Sequence, residues 1–110
     1  MFSRELKKGS TEMLVLSLLE ARARHGYEIG KQIETSSDGR LTFRIGSLYP
    51  ILCRLEDRGL IKGRWIERPG ERRRRFYRLT PAGRRALQQE RTLWRQFVLT
   101  IDGIVGDPHA

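Results

Sequence analysis

The sequence predicts an α+β, mostly helical fold: a winged helix-turn-helix domain that runs on into a single C-terminal dimerisation helix. Three observations carry this reading. The segment Gly46 to Arg58 has helical periodicity, with an apolar stripe on one side and a small, polar, partly basic face on the other. A β-hairpin follows at once and holds the run Arg72-Arg73-Arg74-Arg75. Beyond it lies a long helical stretch with apolar residues seven apart. A helix that fits a groove, followed by an arginine-loaded ribbon, is how winged helices grip duplex DNA.

Composition narrows the class. The chain has 110 residues, 38% hydrophobic and 32% charged, which suits one folded domain with a highly charged surface. Nine Lys or Arg against two acids fall between Arg58 and Arg78, so about +7 of the formal net charge of +9 sits in that stretch. A patch of that sign points to a polyanionic partner, nucleic acid first, with an anionic membrane surface open on charge alone. The longest apolar run, Met13 to Leu19, is too short to span a bilayer and has no signal-peptide layout. The single cysteine, Cys53, excludes an internal disulfide and fits a reducing compartment, so the expected location is the cytoplasm.

Element by element, Ser10 reads as the N-cap of a first helix, with Glu12 in its first turn and Met13 to Leu19 apolar nearly all round. That helix should end near Arg24, with His25 as a linker residue before a second helix from Tyr27 to about Ser36. Ile29 and Ile33 share a face with Gly26 and Gly30, and Tyr27 is expected in the core. A turn cluster, Thr35 to Gly39, closes this helix, and Leu41 to Phe43 reads as a short strand. Pro50 places the start of the third helix near Gly46 or Ser47, because proline is comfortable only in the first turn. Leu48, Ile51, Leu52 and Leu55 form the buried stripe, so Pro50, Cys53, Arg54 and Asp57 point away from it with Ser47 and Tyr49 on the flanks. Gly59 ends the helix.

Ile61 to Ile66 and Arg73 to Leu79 read as strands joined by Arg68-Pro69-Gly70-Glu71. The tip is charged on both faces and only the base has residues to bury. Thr80-Pro81 is an N-cap with proline at the first helical position, although Gly83 stands where a capping box would have Glu. The chain thus divides into residues 1–80, the winged domain, and 81–110, a final helix of about 23 residues with a short tail. Leu87, Trp94 and Ile101 fall seven apart, Phe97 and Ile104 add a second seam interrupted by Glu90, and Gly103, Gly106 and Pro108 should end the helix. About 35 Å of helix outruns the domain it leaves, so its stripe needs a partner, most simply a second copy.

Six segments, Leu6-Lys7-Lys8-Gly9-Ser10, His25-Gly26-Tyr27-Glu28, Gly46-Ser47-Leu48-Tyr49-Pro50-Ile51-Leu52, Arg54-Leu55-Glu56, Gly59-Leu60-Ile61 and Tyr77-Arg78-Leu79-Thr80-Pro81-Ala82-Gly83, stand in the order and spacing of the PadR family of bacterial transcriptional regulators. The chain resembles the short subfamily, in which one C-terminal helix makes the dimer. The resemblance implies a homodimer on an inverted-repeat operator that usually represses transcription, often until a small effector binds. Trp94 matches an aromatic position that some short members have near where planar ligands bind. Cys53 departs from the pattern, since relatives often have His there, and this leaves base preference at that contact open.

The candidate DNA-binding residues are therefore Ser47, Tyr49, Pro50 and Arg54 on the third helix and Arg72, Arg73, Arg74 and Arg75 on the wing. Arg54 suits guanine, Tyr49 and Ser47 suit phosphates, and Pro50 suits a thymine methyl. The plainer readings are a solvated helix face and a solubilising charge run, but four adjacent arginines repel one another without an anion nearby. Leu87, Trp94, Phe97 and Ile101 are the candidate dimer or effector-binding residues, and plain interface packing is the simpler reading of Trp94. His25, Cys53 and His109 lack metal-ligand spacing, and no phosphate-binding glycine loop, apolar carboxylate pair or nucleophile motif argues for an enzyme or a cofactor. An architectural winged helix binding RNA or DNA, and a protein-docking module, are the alternatives; the lack of interleaved aromatics speaks against RNA and the charge on the wing against docking.

Overall fold

A computed structural model describes the backbone of residues 4–106 and the side chains of residues 10–106. The order is α1 (Arg4–Ala21), β1 (Arg24–His25), α2 (Gly26–Ser36), α3 (Ile45–Asp57), β2 (Ile61–Ile66), β3 (Arg74–Leu79) and α4 (Pro81–Val105). The antiparallel sheet runs β1-β3-β2. This is the mostly helical α+β winged helix that the sequence predicts. The Leu6 to Gly9 side chains, Pro108 and His109 lie outside the described residues.

One core joins the helices to the base of the wing. Val15, Leu16 and Leu19 of α1, Ile29 and Ile33 of α2, and Leu48, Leu52 and Leu55 of α3 pack with Leu60, Ile61, Tyr77, Leu79 and Leu87. The α3 stripe is buried as its spacing requires, and each fully buried leucine contributes roughly 1.5–3 kcal/mol. The helix closes with a Schellman turn: Gly59, at φ 73°, donates to Glu56 O and the Leu60 amide reaches back to Leu55 O. In the wing the Glu71 amide donates to Arg68 O across Pro69-Gly70, and Gly70 takes the positive φ that this turn needs.

Several boundaries differ from the sequence expectation. Helix α1 already contains Ser10, which is therefore not its cap, and it stops at Ala21 because Arg24 and His25 leave to pair with Tyr77 and Phe76 of β3. Arg24 Nε then satisfies the carbonyl of Leu18 in the last turn. Leu41 to Phe43 is not a strand: it pairs with none of the sheet's strands, and the Leu41 amide is held by the Ser37 hydroxyl at 2.9 Å. Helix α3 begins at Ile45, ahead of the expected start, since the Ser47 and Leu48 amides both find Arg44 O; Pro50 consequently sits in its second turn. Strand β3 starts one residue late, at Arg74. Helix α4 runs through Gly103 and ends at Gly106, giving 25 residues. Tyr27 is 65% exposed, not core, because it points opposite to Ile29 on α2.

Thr80 caps α4 by accepting from the Gly83 amide at 3.0 Å, while its hydroxyl reaches Gly59 and Leu60 carbonyls. Gly83 displaces the capping-box Glu for a steric reason: a Cβ there would collide with the Leu60 carbonyl. This close approach fixes the angle at which α4 leaves the domain.

Candidate nucleic-acid interface

Helix α3 presents Ser47, Tyr49, Pro50 and Arg54 to solvent, as expected, with Cys53 half-buried among them. Its N-terminus has no side-chain cap and no acid in the first turn, which leaves amide dipoles open toward an anion. Opposite stands the inner face of the wing. Together they enclose a groove of about 380 Å³ whose walls include Ile45 and Tyr49 of α3, Tyr27 of α2, and Trp65, Arg73 and Tyr77 of the wing.

The wing arginines divide by pleat. The register Trp65↔Arg75 and Ile66↔Arg74 sends Arg75 toward α3 and Arg74 to the opposite face. Arg75 is half-buried and bonds Glu56 Oε2 at 2.7 Å; the same oxygen accepts the Gly63 amide at 2.9 Å. Burial would lower the Arg75 pKa, but the Glu56 hydrogen bond and charge outweigh it and the net shift is upward. Arg75 thus braces the wing on the recognition helix while still lining the groove between them. A side chain at position 63 would block that path, since a Cβ there would strike the guanidinium. Arg73 lies over the Trp65 ring at 4.4 Å and near Glu67, while Arg54 and Arg72 are exposed with no ion pair among the described residues.

Several residues of the site were not singled out from the sequence. Glu56 is one. Trp65, 52% exposed, is another, and its even spacing from Gly63 and Ile61 could have placed it on the inner face. His25 is the N-cap of α2, its Nδ1 accepting the Glu28 amide at 3.3 Å. The His-Gly-Tyr-Glu spacing, with Glu at N3, carried that signal.

At the far end, Arg91 pins α4 to α1 through Glu20 at 2.9 Å and Ser17 at 3.3 Å. That hydrogen bond holds the Glu20 pKa below the usual carboxylate value. Leu87 lies before this pin and is fully buried in the chain's own core, so it is corrected from the seam to the core. Beyond the pin Trp94, Phe97, Ile101 and Ile104 form an exposed a/d stripe, with the Trp94 and Phe97 rings 6.0 Å apart. Among the described residues no group of three His, Cys, Asp or Glu could hold a metal ion, and no helix is long and apolar enough to cross a membrane.

The fold and this surface define a DNA-binding transcription regulator of the winged-helix class. The chain belongs to the transcriptional regulator PadR-like family, whose model matches residues 15–89. It is therefore a regulator and not an enzyme. It is similar to a solved transcriptional regulator from Clostridium thermocellum, with a TM-score of 0.87 at 32% identity and 96% and 99% of the two chains covered. A transcriptional regulator of Mycobacterium tuberculosis is 39% identical over 74 residues, 67% of this chain and 55% of that one. An uncharacterized 37.1 kDa protein in a transposon of Streptomyces fradiae is 42% identical over 85 residues, covering 77% of this chain. This chain spans just 23% of that relative's length.

Proposed function

We propose that this protein is a sequence-specific repressor that binds double-stranded DNA as a homodimer on an inverted-repeat operator. The observation that carries the reading is the groove formed jointly by the start of α3 and the arginine-bearing wing, with Arg72 to Arg75 on the wing wall and the uncapped helix start on the other. Helix α3 enters the major groove. There Arg54 pairs with guanine and Pro50 meets a thymine methyl, while Ser47, Tyr49 and the uncapped helix start hold phosphates. Arg72, Arg73 and Arg74 follow the adjacent backbone into the minor groove, and Arg75 keeps the wing at the right distance from α3.

The second copy covers the stripe Trp94, Phe97, Ile101 and Ile104, because an apolar seam that long is otherwise left in water. Trp94 and its symmetry mate line an opening between subunits that takes a flat, apolar or cationic effector, which Glu90 one turn earlier helps to keep open. The cytoplasm is the compartment this function requires. Sedimentation of the purified protein, alone and with a duplex, tests the architecture: a dimer at micromolar concentration is expected, and a monomer in both conditions contradicts it.

A further inference from the structure

The face of the wing turned away from α3 encloses a cavity of about 370 Å³, room for roughly a dozen waters. Arg68, Arg72 and Arg74 line it together with Glu71, His25 and Phe76. None of these three arginines has a carboxylate within 4 Å among the described residues, whereas Arg22, Arg58, Arg73, Arg75 and Arg91 each have one. Arg68 instead lies 5.5 Å from the centre of the Phe76 ring, and Arg74 Nη1 stands beside the His25 imidazole, 3.1 Å from Nε2. Three convergent guanidiniums against one acid, on a surface with a floor, are a cradle for an anion.

We infer that Arg68, Arg72 and Arg74, with His25 at the floor, form a phosphate site that opens on the outer face of the wing and shares Arg72, Arg74 and His25 with the groove beside α3. This deepens the DNA-binding reading and rests on it only for the source of the phosphate, which is either a duplex backbone or a free phosphate group. The shared chemistry is a tetrahedral oxyanion held by two or three forked donors.

Filling the site must act on His25. Facing this ring are Glu28 from α2, with Arg22 and Arg24 paired to that carboxylate, and Arg74 and Arg68 from the wing. Burial first and the Arg74 charge second lower the His25 pKa in the free protein, which favours the neutral ring. A phosphate between the arginines reverses the sign of that field and favours the imidazolium. Protonation turns Nδ1 into a donor and so gives up the cap on the Glu28 amide, while Glu28 Oε1, 3.8 Å from Nε2, partners the charged ring. Phosphate binding therefore takes up a proton, and affinity rises as pH falls. Because His25 caps α2 and pairs with β3, the occupied wing is coupled to the helix-turn-helix.

The test follows His25 by ring-resolved NMR during pH titration of the full chain, with His109 as internal reference, in phosphate-free buffer, in inorganic phosphate, and with a bound duplex. The His25 midpoint should rise while that of His109 stays, and duplex affinity should strengthen between pH 7.5 and 5.5 by up to tenfold per unit for each protomer, the limit for one proton apiece. A shift with inorganic phosphate supports a site open to free phosphate groups, and a shift with duplex alone assigns it to the DNA backbone. Arg68→Gln with Arg74→Gln should abolish both shifts, while His25→Asn, which keeps a capping side chain, should bind duplex with affinity independent of pH. A His25 midpoint unmoved by either partner, in protein that still binds duplex through Arg54, overturns the site and leaves the operator reading intact. A shift with phosphate in protein that binds no duplex does the reverse.

Discussion

Glu56 and Arg75 tie the recognition helix to the wing at 2.7 Å, although each has the charge one would first assign to a different role. The acid stands on the helix that must approach phosphates, and the arginine belongs to a run that reads as DNA-binding throughout. Removing an anion from a DNA-facing helix should tighten binding if charge alone matters. The brace implies the opposite: Glu56→Ala leaves Arg75 and the Gly63 amide without their partner, costing about 1–2 kcal/mol in this half-exposed setting. Thermal unfolding should show a lower midpoint, and duplex binding should weaken. Tighter binding by the variant would show that the wing needs no brace.

The arginines of the wing tip should separate from Arg54 by their salt response. Neutralising Arg72 and Arg73 together should weaken binding to all sequences and flatten the log-log salt dependence by about 0.9 for each phosphate lost. Arg54→Ala should relax preference at one base position per half-site at a cost on the order of 1–3 kcal/mol. Equal salt slopes for wild type and the wing variant would remove these arginines from the interface.

Gly83→Ala sets helix propensity against a clash. Alanine favours the helix by about 1 kcal/mol, but the added carbon meets the Leu60 carbonyl, which is backbone and cannot swing aside. A net loss of about 2 kcal/mol or more is expected in denaturant unfolding. A more stable variant would mean that α4 does not pack this closely on Leu60.

Leu87 and Phe97 lie on one helix yet should fail differently. Leu87→Ala opens a cavity in the core and should cost about 2–5 kcal/mol of stability. Phe97→Asp, beyond the Arg91 pin, should leave the winged domain folded by circular dichroism and shift the dimer toward monomer in sedimentation. A Phe97→Asp protein that stays dimeric places the interface elsewhere.

His25 should set an acid limit on the DNA-free fold. Its pKa is lowered in the folded chain against about 6.5 when unfolded, so the unfolded state takes the proton first. The stability it contributes is present above about pH 6.5 and is lost as pH falls through the folded value. Melting of wild type against His25→Asn in phosphate-free buffer should show the gap between the two closing as pH drops. A gap constant from pH 7.5 to 5.5 would mean that His25 is not held neutral.

Local chemistry made most of the fold legible. The Leu48 to Leu55 stripe, the Pro69-Gly70 turn, the Gly59 stop and the Thr80-Pro81 start each act within a few residues. What escaped needed a distant partner. Strand β1 is two residues long and exists because β3 lies beside it some fifty positions later. Alternation separates Arg74 from Arg75, but which of them turns inward depends on Glu56, nineteen residues away. Leu87 fits the heptad with Trp94, and only the position of α1 shows that the chain covers one and leaves the other bare. Tyr27 is different, since its opposition to Ile29 was readable from helical geometry alone.

Selection of bound sequences from a random duplex pool tests the central claim most directly, because it asks for specificity and two-fold symmetry at once. The account predicts enrichment of an inverted repeat whose half-sites lie about one helical turn apart, with each half-site losing one preferred base in Arg54→Ala. A pool that stays random while the protein still binds, or a single unrepeated site, would contradict it.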